Sequence, residues 1–246
     1  MHKVIFLIIK EYMKSMISET NVMNPSINKK SVKQIFIVDD HPLSRKGLIQ
    51  IIKPEADLEV CGEAESAAQT LERLETLHPD LVIVDISLKD SNGIDLTKTI
   101  KTLYPKLGIL VLSMYSESVY GERALQAGAG GYVIKNEAPE TILLAIRDIL
   151  NGEIYVSENL SKKLLRRFSR GAAPDSDTTS VEKLSDRELE VFQLIGQGFS
   201  TGEIAKKLYL SGKTVDTYRA QIKQKLNLST SSELLRYALH YFRTSQ

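Results

Sequence analysis

Ile35-Phe36-Ile37-Val38-Asp39-Asp40 sets four apolar residues against two carboxylates, and Leu81-Val82-Ile83-Val84-Asp85 repeats the arrangement. A short, continuous apolar run without polar alternation describes a strand buried on both faces. The pattern recurs: Leu107–Leu112 runs into Ser113, Tyr132-Val133-Ile134 runs into Lys135, and Leu58-Glu59-Val60-Cys61 is a weaker strand of the same set. Between them, segments near 43–53, 65–77, 94–103, 117–127 and 139–150 place apolar residues every three or four positions, as amphipathic helices do. Five βα units in about 120 residues predict a small doubly wound α/β domain, a five-stranded parallel sheet covered on both faces, over residues 32–151.

Composition narrows the remaining choices. The 246 residues are 42% hydrophobic and 26% charged, an ordinary globular balance for one or two domains. One cysteine, Cys61, excludes a disulfide framework and a cysteine-built zinc site. His2, His41, His78 and His240 are too scattered to suggest a histidine metal cluster. The longest apolar run, Val4–Ile9, has six residues, whereas a membrane-spanning helix needs about 20. A secretory signal also needs a longer apolar core, so a cytoplasmic chain with no membrane partner is expected.

The net charge of +1 hides an asymmetry. Residues 1–32 carry +3, residues 33–150 carry −6 from 12 basic and 18 acidic groups, residues 151–182 balance, and residues 183–246 carry +4. An acidic block followed by a basic one implies two domains with different partners. Between them, Gly171-Ala-Ala-Pro-Asp-Ser-Asp-Thr-Thr-Ser180 has turn formers and no large apolar residue, so 152–182 is expected to be a linker with a short helix. Residues 1–31 form an extension of unknown role, and initiation at Met16 or Met23 is the more economical expectation.

The last 64 residues show no strand pattern. Ser185–Glu188, Ser200–Glu203 and Thr230–Glu233 are capping boxes, and Ser211 is a further candidate cap. Four helices of 8–15 residues are predicted over 183–246, the first ended by Gly196-Gln197-Gly198. Ile204–Leu208, a turn at 209–212 and a longer helix opening at Thr214-Val215 read as a helix-turn-helix. On the longer helix Val215, Tyr218, Ile222 and Leu226 share one face. Lys213, Thr214, Asp216, Thr217, Arg219, Ala220, Lys223 and Gln224 are the candidates for contact with duplex DNA in the major groove.

The residues that end the strands carry the chemistry. Asp39, Asp40, Asp85, Ser113 and Lys135 should converge in the crevice at the carboxyl edge of the sheet, where ligands bind. Three neighbouring carboxylates repel one another unless a cation intervenes, and oxygen-only ligands suit Mg²⁺. With a hydroxyl and an ammonium added, the set matches phosphoryl transfer, and Asp85, on the medial strand, is the candidate nucleophile. His41 reads as part of the first helical turn after the acidic pair, and Cys61 as a buried small apolar group.

With Ile37-Val38-Asp39-Asp40-His41-Pro42, Val84-Asp85-Ile86-Ser87 through Gly93, Leu112-Ser113-Met114 and Gly131-Tyr132-Val133-Ile134-Lys135, residues 33–150 resemble the receiver domain of bacterial two-component response regulators. The resemblance implies a flavodoxin-like fold and phosphorylation of Asp85 by a sensor histidine kinase. It implies Mg²⁺ held by Asp39, Asp40, Asp85 and the Ser87 backbone carbonyl, with Ser113 and Lys135 on the phosphoryl group. Ser113 and Tyr132 would be the switch pair. Lys89 departs from the proline common there.

Leu184-Ser-Asp-Arg-Glu188-Leu-Glu190-Val191 through Ile204-Ala205, Thr214-Val215 and Lys225-Leu226 resembles the LuxR-type DNA-binding domain, giving the architecture of the NarL/FixJ class. Asp216 departs from a position often basic in that family, and Tyr218 from one often histidine. The implied protein is a phosphorylation-dependent transcriptional regulator whose receiver covers the recognition helix until phosphorylated. The last helix is expected to expose Leu234, Leu235, Ala238, Leu239, Tyr241 and Phe242, more apolar surface than a four-helix unit easily covers. Either part of it forms a homodimer contact, which the resemblance implies, or it all belongs to the core. The protein would not be an enzyme beyond its own phosphorylation and slow dephosphorylation, because an aspartate-nucleophile phosphatase carries a second aspartate where Ser87 stands. A receiver serving only as a dimerisation module is the other alternative, and the complete acidic set argues against it.

Overall fold

The five apolar runs between Ile35 and Ile134 each form a strand in the computed structural model, which describes residues 31–89, 91–169 and 180–244. The expected 1–31 extension, with its Val4–Ile9 run and the two alternative initiators, and nearly all of the 171–180 stretch lie outside the described residues. Strands β1 (Lys33–Val38), β2 (Leu58–Ala64), β3 (Leu81–Asp85), β4 (Gly108–Ser113) and β5 (Gly131–Ile134) pair in parallel in the order β2-β1-β3-β4-β5. The order reverses between β1 and β3, which opens a crevice at their carboxyl ends.

Strand periodicity sends alternate side chains to opposite layers. Ile35, Ile37, Leu81, Ile83, Leu110 and Leu112 pack against helices α1 (Pro42–Ile52) and α5 (Pro139–Leu150). Phe36, Val38, Val82, Val84, Ile109 and Val111 pack against α2 (Ala67–Leu74), α3 (Gly93–Leu103) and α4 (Glu117–Gln126). The second layer continues without a break into Val181, Leu184, Leu189 and Phe192, so one apolar cluster serves the sheet and the helical C-terminal part.

Cys61 corrects the expectation of a fully buried apolar group. Register slips between Ile35 and Phe36, pairing Val60 and Gly62 with consecutive residues and leaving Cys61 as the extra residue of a bulge. Its thiol is half-buried and donates to the Ile35 carbonyl at 3.5 Å.

After β5, Tyr155 bridges to Gly131 at the sheet edge, and α6 (Glu158–Ser169) lays Leu160 against α4. A 3₁₀ turn (Ser180–Lys183) leads into α7 (Asp186–Gly196), α8 (Thr201–Lys207), α9 (Gly212–Lys225) and α10 (Ser231–Thr244). The caps form as their sequences dictate: Ser185 and Ser200 complete capping boxes, Ser211 accepts from Thr214 N–H, and Thr230 and Glu233 bond reciprocally. Helix α8 has seven residues, shorter than the expected minimum of eight. Its last turn is closed by Tyr209 in the left-handed region (φ 53°), with Leu210 N–H reaching the Ala205 carbonyl at 2.8 Å.

Candidate phosphoryl-acceptor site and DNA-binding surface

Asp39, Asp40 and Asp85 leave β1 and β3 on neighbouring positions of the crevice and are buried. Lys135, just beyond β5, places its Nζ 2.7 Å from both Asp39 Oδ2 and Asp85 Oδ2. Ser44 Oγ and His41 N–H also donate to Asp39, at 2.5 and 2.8 Å. Burial alone would raise the Asp39 pKa, but Lys135 and these donors outweigh it and hold the carboxylate below its ordinary value.

Asp85 behaves oppositely. Its burial and the nearby Asp39 charge overcome Lys135 and a bond from the Ser87 backbone N–H, and its pKa is pushed up to about 7. Burial also raises Asp40, against the charge of His41.

His41 is the residue that sequence reasoning underrated. It does precede the first turn of α1, but its side chain makes no cap bond. Nδ1 instead lies 2.7 Å from Asp40 Oδ1, 3.3 Å from Asp39 and 3.9 Å from Asp85, with 63% of the side chain exposed. The adjacency Asp40-His41 was the only available signal. Asp40 Oδ1 and Asp85 Oδ2 are buried without an aligned hydrogen bond even though a nitrogen lies 2.7 Å from each. Carboxylate oxygens left in that state, with ligand atoms of all four residues within 4.8 Å of one another, suit a hard cation.

Ser113 and Tyr132 meet at the next loop. Tyr132 is buried and its hydroxyl donates to the Tyr115 carbonyl at 2.8 Å, while Tyr115 N–H donates to Ser113 Oγ at 3.0 Å. The Tyr115 ring stacks on Tyr120, with centroids 5.1 Å apart, and its hydroxyl lies 3.4 Å from Ser87 Oγ. Tyr115 therefore links both expected switch residues to the loop after Asp85. Nothing in its own sequence context signalled this.

The C-terminal helices meet the receiver-like part through α7. Asp186 accepts from Lys98 Nζ at 2.7 Å and from Arg123 at 2.9 Å, and Arg123 also donates to the carbonyls of Val181, Glu182 and Leu184. The recognition helix is not covered, contrary to expectation. On α9, Lys213, Asp216, Thr217, Ala220 and Gln224 are exposed and Thr214, Arg219 and Lys223 half-buried, whereas Val215, Ile222 and Leu226 face inward. Asp216 is engaged by Thr201 Oγ1 at 3.5 Å.

Part of the apolar face of α10 instead faces the receiver side across a cleft. Tyr241 and Phe242 line a cleft with Met114, Val119 and Ile134. Leu234 and Ala238 are buried, and Leu235 is 41% exposed.

Among the described residues, no helix is long and apolar enough to cross a membrane. Residues 35–147 match the family model for the response regulator receiver domain, and residues 182–238 match that for bacterial regulatory proteins of the luxR family. Receiver domains generally bind Mg²⁺ at their acidic pocket. The oxygen regulatory protein NreC of Staphylococcus epidermidis is 35% identical over 84% of this chain and 96% of its own. RcsB from Salmonella enterica serovar Typhimurium, solved bound to promoter P1flhDC with the phosphomimetic BeF3⁻, is 29% identical over 85% of this chain and 98% of that one, with a TM-score of 0.56. A second structure of Salmonella typhimurium RcsB is 29% identical over 84% of this chain and 98% of that one, with a TM-score of 0.52. A receiver sheet followed by a LuxR-type domain, shared with relatives along nearly their whole length, places this chain in the NarL/FixJ class of response regulators, the phosphorylation-dependent transcription regulators of two-component systems.

Proposed function

We propose that Asp85 is the phosphoacceptor of this regulator and that residues 32–151 act as its receiver, 183–246 as its DNA-binding domain and 152–182 as the connection. The supporting observation is the placement of Asp85, a buried carboxylate with Lys135 2.7 Å away and two further carboxylates beside it. A carboxylate oxygen of Asp85 attacks phosphorus of a phosphohistidine on the sensor kinase. The P–N bond breaks, the imidazole keeps the electron pair and takes up a proton, and an acyl phosphate forms. Lys135 stabilises the charge on the transferring oxygens, and Ser113 contacts them afterwards.

Asp39, Asp40, Asp85 and the Ser87 carbonyl would hold Mg²⁺, which supplies positive charge against the phosphoryl group. Hydrolysis of the acyl phosphate is slow, since Ser87 provides no acid where a phosphatase has one.

The output is promoter DNA binding in the cytoplasm. Helix α9 presents Lys213, Thr214, Asp216, Thr217, Arg219, Ala220, Lys223 and Gln224 to the groove, and two copies pair to read two half-sites. The exposure of α9 supports a docked form whose reading face is free. Control then lies in pairing, because Tyr241 and Phe242 of α10 line a cleft against the receiver. Intact-mass measurement with acetyl phosphate tests the assignment. One Mg²⁺-dependent phosphoryl adduct, absent in Asp85→Asn, is expected. No adduct on folded protein, or an adduct that persists in Asp85→Asn, overturns it.

A further inference from the structure

Glu190 belongs to α7 of the DNA-binding domain, yet its carboxylate, 0% exposed, ends in the receiver. Ser87 Oγ donates to Oε1 at 2.9 Å and Asn92 Nδ2 to Oε2 at 3.4 Å, while Arg187 on the same helix donates to Oε2 at 2.7 Å. The two receiver donors bracket the loop that follows Asp85 and pair with each other as an antiparallel bridge. Asn92 caps α3 by accepting from Ile94 N–H at 2.9 Å, and the Ser87 backbone N–H bonds to the Asp85 carboxylate. One carboxylate thus grips both ends of the phosphoacceptor loop from the opposite domain. A buried ion pair is seldom better for stability than apolar residues of the same volume, so its charge calls for a role besides adhesion.

We propose that Glu190 is a positioning residue for phosphoryl uptake. While docked it fixes Ser87 and Asn92 and opposes the charge arriving at Asp85, so that phosphorylation and docking of the DNA-binding domain exclude one another. This rests on Asp85 being the acceptor. The phosphoryl group brings about −1.5 to −2 charges to a loop whose far side already faces the Glu190 carboxylate. Burial pushes that group towards its neutral form, while Arg187, Ser87 and Asn92 favour the charged one. Inside the protein that repulsion is poorly screened. By linkage, whatever phosphorylation costs the docked state, docking costs phosphorylation.

The test uses the full chain with Mg²⁺ and acetyl phosphate, from which Asp85 displaces acetate, and follows initial adduct formation by intact mass. Glu190→Gln removes the charge and keeps the shape. Ser87→Ala removes the shorter of the two receiver donors without touching the helical domain, and it carries the test if Glu190→Gln fails to fold. Each is expected to speed uptake about tenfold, with the double variant no faster than either single one. A purely structural Glu190 would lower the melting temperature and leave the rate unchanged, and that result overturns the proposal, as do independent, multiplicative effects of the two substitutions. Absence of any Asp85-dependent adduct in the unsubstituted protein is a different failure: it removes the acceptor assignment, and this proposal with it.

Discussion

The carboxyl group of Asp85 sits at the junction of two opposing demands: burial and a neighbouring anion favour the protonated form, and Lys135 the charged one. Burial prevails in the metal-free protein, so the folded state holds a proton that the unfolded chain releases near pH 3.8. Between that value and about 7, the native state binds more protons than the unfolded one, and stability falls as pH rises. Thermal melts in EDTA should show this decline. Asp85→Asn, neutral throughout, should flatten it and melt higher than the unsubstituted protein at pH 8, by about 1–3 kcal/mol. Equal melting at pH 8 would mean that the Asp85 charge carries no such penalty. Asp39, Asp40, Asp85, Ser113 and Lys135 were legible because a parallel sheet delivers the residues after its strands to one edge. His41 and Tyr115 were not. Their parts depend on side-chain direction within a loop, and a one-dimensional pattern does not fix it.

At the scale of elements, close approach decides more than propensity. Helix α3 begins at Gly93 directly against the end of β3, where a Cβ would stand 2.0 Å from the Asp85 carbonyl oxygen. That oxygen cannot retreat without moving the strand that carries Asp85. Gly93→Ala should therefore cost about 3 kcal/mol or more and slow phosphorylation beyond its effect on stability. A Gly93→Ala protein with unchanged melting temperature and rate would refute the packing described. The starts of α7, α8, α9 and α10 were readable from their caps, because a cap is a local chemical requirement. The length of α8 was not, since it is set by Tyr209 adopting a positive φ, which glycine or asparagine would normally signal.

The whole molecule adds what no local pattern carries: contacts between residues 58 to 103 positions apart, such as Arg123 with Val181 and Ser87 with Glu190. The two domains were separable in sequence by charge and periodicity, but their mode of docking was not: the receiver bonds to α7 and only lines a cleft with α10, and the expected cover over the recognition helix is absent. Arg123 is the main polar anchor of that docking, bonding to Asp186 and three carbonyls. Arg123→Ala should release α10 in the unphosphorylated protein and raise its dimer fraction in sedimentation at a given concentration several-fold. An unchanged fraction would show that docking does not restrain pairing. The most direct measurement is the affinity of the protein for a duplex selected from a random library, compared with and without stoichiometric phosphorylation, alongside Asp85→Asn. About tenfold tighter binding on phosphorylation, absent in Asp85→Asn, is the expected result. Equal affinity of the phosphorylated and unphosphorylated forms would overturn phosphorylation-controlled DNA binding through Asp85.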